Sequence, residues 1–171
     1  MIKIGITGSL ASGKTTASRI LSYKNGPLFS ADKIVKELYK RKHINDLIRK
    51  KLRINKKDNV KKSVKKMILE DLKNISKIEK IIHPLIRKRM KSFTSKHKNK
   101  KLLFYEIPLL NESKLMNFFD LIIFVKSKKK TRLKRFKSKK GDEKLFNILN
   151  NKQMNDKKKV KYCDHVVVNE K

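Results

Sequence analysis

A chain of 171 residues, 38% of them hydrophobic, can fill one core of modest size, which excludes a string of large domains. A single cysteine excludes an intramolecular disulfide, and no apolar run approaches the ~20 residues of a membrane span. The 48 lysines and arginines against 15 acidic residues give a formal charge of +33, so anions are attracted over long range and their binding will be salt-sensitive.

That charge allows two readings. Lysines and arginines displace counterions from nucleic-acid phosphates. Alternatively, codons have drifted toward A and T, and the many asparagines and isoleucines and the even scatter of the lysines favour this. Nucleic acid is therefore expected as a non-specific partner at most. The first apolar run stops at Gly8 and Ser9, unlike a signal peptide, and a cytoplasmic location without a membrane partner is expected.

In chain order, Lys3–Thr7 is short, β-branched and followed by glycine, which predicts a buried strand. A helix follows from Gly13, with Ala17, Ile20 and Leu21 on one side. Pro27–Phe29 reads as a second strand. Ser30 and Asp32 then stand at a helix start ahead of Ile34, Val35 and Leu38. Residues 40–99 are rich in lysine and hold no convincing strand. Val64, Ile68 and Leu72, then Ile75, Ile78 and Ile82, repeat at helical spacing, and Pro84 fits the first turn of a new helix with His83 at its mouth.

Two strong strand signals follow, Leu102–Leu110 and Asp120–Val125. Ser127 is placed to cap a helix carrying Leu133 and Phe136. Lys137–Lys144 is a polar loop, Leu145, Ile148 and Leu149 mark another helix, and Asp164–Asn169 is a last strand. Phe118, Phe119, Met67, Met154 and Cys163 read as packing residues, His165 as structural, and His43 and His97 as surface. Strands alternating with helices predict an α/β fold on a parallel sheet, in one folding unit covering residues 1–171.

The stretch GSLASGKT, Gly8 to Thr15, matches G-x-x-x-x-G-K-[ST] in full, with a strand before it and a helix after it. Gly8 and Gly13 permit a tight backbone path whose N–H groups, including those of Ala11 and Ser12, point at anionic oxygens. Lys14 reaches the β- and γ-phosphates, the Thr15 hydroxyl is placed for Mg²⁺, and Thr16 offers one more phosphate contact. This predicts a nucleoside-triphosphate site. Guanine-reading and switch motifs are missing, which points to a small-molecule kinase. Asp32, at the carboxyl edge of the sheet, is the candidate acceptor carboxylate and equally an ordinary helix-start residue.

The chain resembles the dephospho-CoA kinase family along nearly its whole length. The resemblance is carried in order by TGSLASGKTT, FSADKIV, the run ending in HPLI, YEIPLLNES, RLKRF, NKQM and YCDHVVVN. It implies a P-loop kinase-like three-layer fold with a central parallel sheet, a helical acceptor-binding insertion over about 40–99 and a small lid over about 137–150. It implies phosphorylation of the ribose 3′-hydroxyl of dephospho-CoA by ATP with Mg²⁺, the last step of coenzyme A synthesis, by a monomer. On this resemblance Asp32 meets the 3′-hydroxyl, Lys61, His83 and Pro84 belong to the acceptor side, and Glu106 stands near the metal with Thr15. Arg135 reaches the transferring phosphoryl group from the lid, and Gln153 sits near the base.

The chain departs from the family pattern at several positions. Ser30 replaces the first aspartate of D-A-D, Ser9 and Ala11 replace loop glycines, Lys61 replaces an arginine, and Lys139 and Lys140 replace an R-D pair. A lysine does not make the planar two-pronged grip of arginine on phosphate, so lost affinity is expected on the acceptor side. Two rival readings remain open: another P-loop kinase acting on a nucleoside monophosphate or small alcohol, and a basic nucleic-acid-binding P-loop protein.

Overall fold

The computed structural model describes all residues except Leu72, Asn111, Lys114 and Lys171. It divides into two compact units, Met1–Ala31 with Phe93–Lys171, and Asp32–Ser92.

The first unit is built on a parallel sheet of β1 (Ile2–Gly8), β2 (Leu28–Ser30), β3 (Leu102–Glu106), β4 (Leu121–Lys126) and β5 (His165–Val168), in the order β2-β3-β1-β4-β5. The short apolar runs predicted from the sequence form these strands, β-branched in β1, β4 and β5. Period-two alternation assigns their faces. Ile4 and Ile6 on β1, Phe104 on β3, and Ile123 and Val125 on β4 make one apolar layer, with Ala17 and Leu21 of helix α1 (Lys14–Ser22) against it. Ile20, expected on the inward side of that helix, is 68% exposed. The inward stripe instead runs through Lys14, Ala17, Ser18 and Leu21, because the helix must also deliver Lys14 to the loop before it.

The opposite sheet face carries aromatic rings. Tyr105 packs edge-on against Phe93, Phe118 and Phe119, and its hydroxyl lies 2.7 Å from Thr94 Oγ1. His97 is part of this packing, its ring 4.5 Å from that of Phe93. Gly5 is needed here, since a side chain would press on Leu110 and Phe119. Helices α6 (Lys129–Ser138), α7 (Glu143–Lys152) and α8 (Asp156–Val160) complete the unit. Asp142 and Asn155 cap α7 and α8 by accepting from Leu145 N and Lys157 N. Ser127 does not cap α6; the cap position is Lys128, and the Ser127 hydroxyl is turned inward to Arg135.

The second unit holds most of α2 (Ala31–Leu38), α3 (Lys42–Leu52), α4 (Val60–Glu70) and the greater part of α5 (Lys73–Lys96). Its core is the set Leu38, Ile44, Ile48, Leu52, Val60, Val64, Ile78 and Ile82, with Met67 and Ile68 packed against it. Leu72, expected to continue the α4 stripe, lies outside the described residues.

Pro84 does not start a helix: α5 runs unbroken through it for 24 residues. A proline inside a helix costs ~3 kcal/mol because it removes one ladder bond and crowds the preceding turn. Here Pro84 is exposed, so the lost bond lies on the solvent side, while Ile78, Ile82, Leu85 and Ile86 hold the helix on its apolar face. His83 is accordingly half-buried in mid-helix rather than at a helix mouth.

Candidate active site

The turn between β1 and α1 uses two left-handed residues, Ala11 at φ 58° and Gly13 at φ 92°. Left-handed steps rotate successive N–H groups toward a common concavity, which suits an anion at the front of α1. A side chain on Gly8 would strike the Val125 carbonyl oxygen, and one on Gly13 would strike the Asn169 amide. Lys14 is buried, and its ammonium donates to the Ser9 carbonyl at 2.8 Å, across the loop it closes. Thr15 and Thr16 are exposed in the first turn of α1.

Glu106, at the end of β3, is 1% exposed and accepts two hydroxyl hydrogen bonds, from Thr15 at 2.5 Å and from Ser30 at 2.7 Å. Ser30 therefore has a partner in this chain: it holds the second oxygen of the carboxylate whose first oxygen meets Thr15.

The back of the loop is held from the other end of the chain. Arg135 on α6 donates to the Ser12 carbonyl (3.3 Å), the Ser127 hydroxyl (3.2 Å) and both the carbonyl and side-chain oxygens of Asn169 (3.2 and 3.3 Å). Asn169 in turn donates to the Ser12 carbonyl at 3.1 Å. Leu10 N donates to Gln153 Oε1 at 2.9 Å, and the Ser9 hydroxyl donates to Asp156. Arg132, 6% exposed, donates to the carbonyls of Ser127 and Leu10 and to Asn150 Oδ1. Burial lowers its pKa, and the charge of Asp156 opposes that shift. Beside these contacts lies a cleft of about 470 Å³ lined by Ser9, Arg132, Asn150, Gln153 and Asp156.

In the second unit, Asp32 stands in the first turn of α2. With Lys36, Lys40, Asn45, Arg49 and Lys61 it lines a cleft of about 640 Å³. His83 and Pro84 are on α5 and are not among the residues lining that cleft.

The sequence profile of the dephospho-CoA kinase family matches residues 2–171. The dephospho-CoA kinase of Bartonella quintana is 35% identical over 171 residues, covering 96% of this chain and 87% of that protein. The chain belongs to the dephospho-CoA kinase family. Its fold is also that of solved structures. A Thermus thermophilus protein superposes with a TM-score of 0.84 at 21% identity, covering 99% of this chain and 89% of its own. Dephospho-CoA kinase from Campylobacter jejuni superposes with a TM-score of 0.64 at 24% identity, covering 99% and 88%.

For a member of the dephospho-CoA kinase family, the first unit brings together most of the residues singled out from the sequence: Gly8, Ala11, Ser12, Gly13, Lys14, Thr15, Glu106, Arg135 and Gln153. Sequence reasoning gave Ser30 only a place at a helix start and assigned no role to Arg132, Asp156 or Asn169. Ser30 stood out as a departure from the family pattern and Asn169 as the polar end of the VVVN run; Arg132 and Asp156 are fixed by contacts more than 120 positions apart in the chain.

Cys163 is half-buried. Its thiol donates to the Lys159 carbonyl, and burial, aided by Asp164 and opposed by Lys159, pushes its pKa up to about 11. It is a packing residue rather than a nucleophile.

The residues present fit Mg²⁺ of the kind that keeps its waters. Among the described residues no group of three or more His, Cys, Asp or Glu could cage an ion. Thr15 and Glu106 instead offer a hydroxyl and a carboxylate side by side, the hard oxygen donors that Mg²⁺ takes alongside nucleotide phosphates.

Proposed function

We propose that this chain transfers the γ-phosphoryl group of ATP to the ribose 3′-hydroxyl of dephospho-CoA, giving coenzyme A and ADP. The observation that carries the reading is the end-to-end match to the dephospho-CoA kinase family, made by a chain whose phosphate loop retains its full pattern and left-handed turns.

In this reading the loop from Gly8 to Gly13 and the front of α1 hold the triphosphate, and Lys14 leaves the Ser9 carbonyl to reach the β- and γ-oxygens. Thr15 and Glu106 would hold Mg²⁺, which when bound neutralises charge on those oxygens. Asp32 orients the 3′-hydroxyl and takes its proton as the oxygen attacks phosphorus. The new bond forms from the 3′-oxygen to the γ-phosphorus. The bond from that phosphorus to the β–γ bridging oxygen breaks, and ADP departs.

Arg135 fixes the back of the loop and is the guanidinium assigned to the transferring group. Gln153 and Thr16 serve the nucleotide side, and Lys61, His83 and Pro84 the acceptor lobe. Residues 137–150 act as a lid that excludes water. The reading includes a single functional domain over 1–171, a monomer in the cytoplasm, and nucleic acid bound only by charge. No helix among the described residues is long and apolar enough to cross a membrane.

The test is an acceptor screen with ATP labelled at the γ-position. Label is expected on dephospho-CoA. Label on nucleoside monophosphates and none on dephospho-CoA would overturn the reading in favour of another P-loop kinase. Tight, sequence-selective retention of DNA or RNA in a gel shift at physiological salt would favour the nucleic-acid alternative.

A further inference from the structure

The cleft in the helical lobe is strongly basic. Lys36 and Lys40 on α2, Arg49 on α3 and Lys61 on α4 give it four cations against the single carboxylate of Asp32. Arg49 is the one arginine lining it. Its guanidinium is held from one side, Nη2 donating to the Asp58 carbonyl at 3.0 Å and Nη1 lying 3.5 Å from Asp46 Oδ1. Its Nε is buried and has no hydrogen-bond partner among the described residues.

One helical turn earlier, Asn45 donates to the Tyr39 carbonyl at 2.9 Å, while its Oδ1 is also buried with no partner among the described residues. Residues at i and i+4 share a helix face, so both incompletely paired groups lie on the side of α3 that lines the cleft. The cleft is completed by the start of α4, where Asn59, Val60 and Lys61 line the wall. A helix start adds partial positive charge to that wall.

We infer that Arg49 is the residue that grips the diphosphate of the acceptor, taking over the planar two-pronged contact that a lysine at position 61 does not make. The inference rests on the proposed acceptor, because dephospho-CoA carries a diphosphate between its adenosine and its pantetheine arm. Arginine presents a rigid fork matched to two phosphate oxygens, whereas Lys36, Lys40 and Lys61 act as point charges. The anchored Nη2 fixes the plane of the fork before the ligand arrives, which limits the ordering cost of binding.

The experiment is a calorimetric titration of dephospho-CoA into the full chain saturated with a non-hydrolysable ATP analogue, for wild type, Arg49→Gln, Arg49→Lys and Arg49→Ala. Glutamine keeps a donor for the Asp58 carbonyl and loses the cationic fork, so it separates ligand binding from loop support. Arg49→Gln is expected to weaken dephospho-CoA at least tenfold with its melting temperature and ATP-analogue affinity unchanged. Arg49→Lys is expected to fall between Gln and wild type. If wild type binds dephospho-CoA and Arg49→Gln binds it equally well, Arg49 only supports the loop and the inference falls alone. If wild type fails to bind dephospho-CoA, the proposed function falls and this inference with it.

Discussion

The sheet unit and the helical lobe are each proposed to hold a polyanion, and they are built in opposite ways. In the sheet unit the candidate site is made of backbone, and the side chains around it are interlocked. Arg135, Asn169 and Gln153 all bond to the main chain of one six-residue loop, and Glu106 is shared by Thr15 and Ser30. In the lobe the cleft is lined by long, mostly exposed side chains on three helices whose stability comes from an apolar core behind them. The departures noted in the sequence fall in both regions. Lys61 lines the lobe cleft, while Ser9 and Ser30 lie in the interlocked site, where their hydroxyls donate to Asp156 and Glu106.

The largest effect should come from the interlocked site. Lys14→Ala is expected to lower kcat/KM by ~10³-fold, since it removes the buried cation assigned to the charge that develops on transfer. A loss below tenfold in steady-state kinetics would mean the loop is not the triphosphate site. Next, Ile48→Ala removes a fully buried side chain from the lobe core and should cost ~2–4 kcal/mol of stability in denaturant unfolding. Because Ile48 lies in the lobe, the affinity for an ATP analogue at low denaturant should stay near wild type. A parallel loss of that affinity would show that the lobe core also supports the nucleotide site.

Asp32→Asn should lower kcat by ~10²-fold through loss of the proton acceptor while ATP affinity holds. An equal loss of ATP binding would make Asp32 a structural residue. The smallest effect concerns Ala11, an L-residue held at positive φ, a conformation that costs ~1 kcal/mol and that glycine adopts freely. Ala11→Gly should therefore raise stability by up to ~1 kcal/mol without lowering turnover. A destabilised variant would show that the loop is not strained at this position.

The same contrast governs how much could be read from the sequence. The five strands, the phosphate loop and the helical character of the insertion were legible because each rests on local pattern: short apolar runs beside turns, glycines at fixed spacing, apolar residues three and four apart. The misreadings all concern local signals overruled by tertiary packing. Pro84 looks like a helix start, yet the apolar face of α5 continues past it and carries the helix through. Ser127 looks like a cap, but Arg135 takes its hydroxyl. Ile20 looks inward, but α1 is rotated to seat Lys14. The bracing of the loop by Asn169, Arg132 and Asp156 had no local signature. Those contacts join the first dozen residues to the last forty, and sequence spacing carries no record of such pairs.

The proposed reaction forms a phosphate ester at the ribose 3′-oxygen of dephospho-CoA. Phosphorus NMR of a reaction containing the purified chain, ATP, Mg²⁺ and dephospho-CoA reads that bond directly. A new monoester resonance coupled to the ribose 3′-proton, growing in step with ADP, is the expected result. ADP accumulating at the same rate with and without dephospho-CoA, and no such resonance, would contradict it.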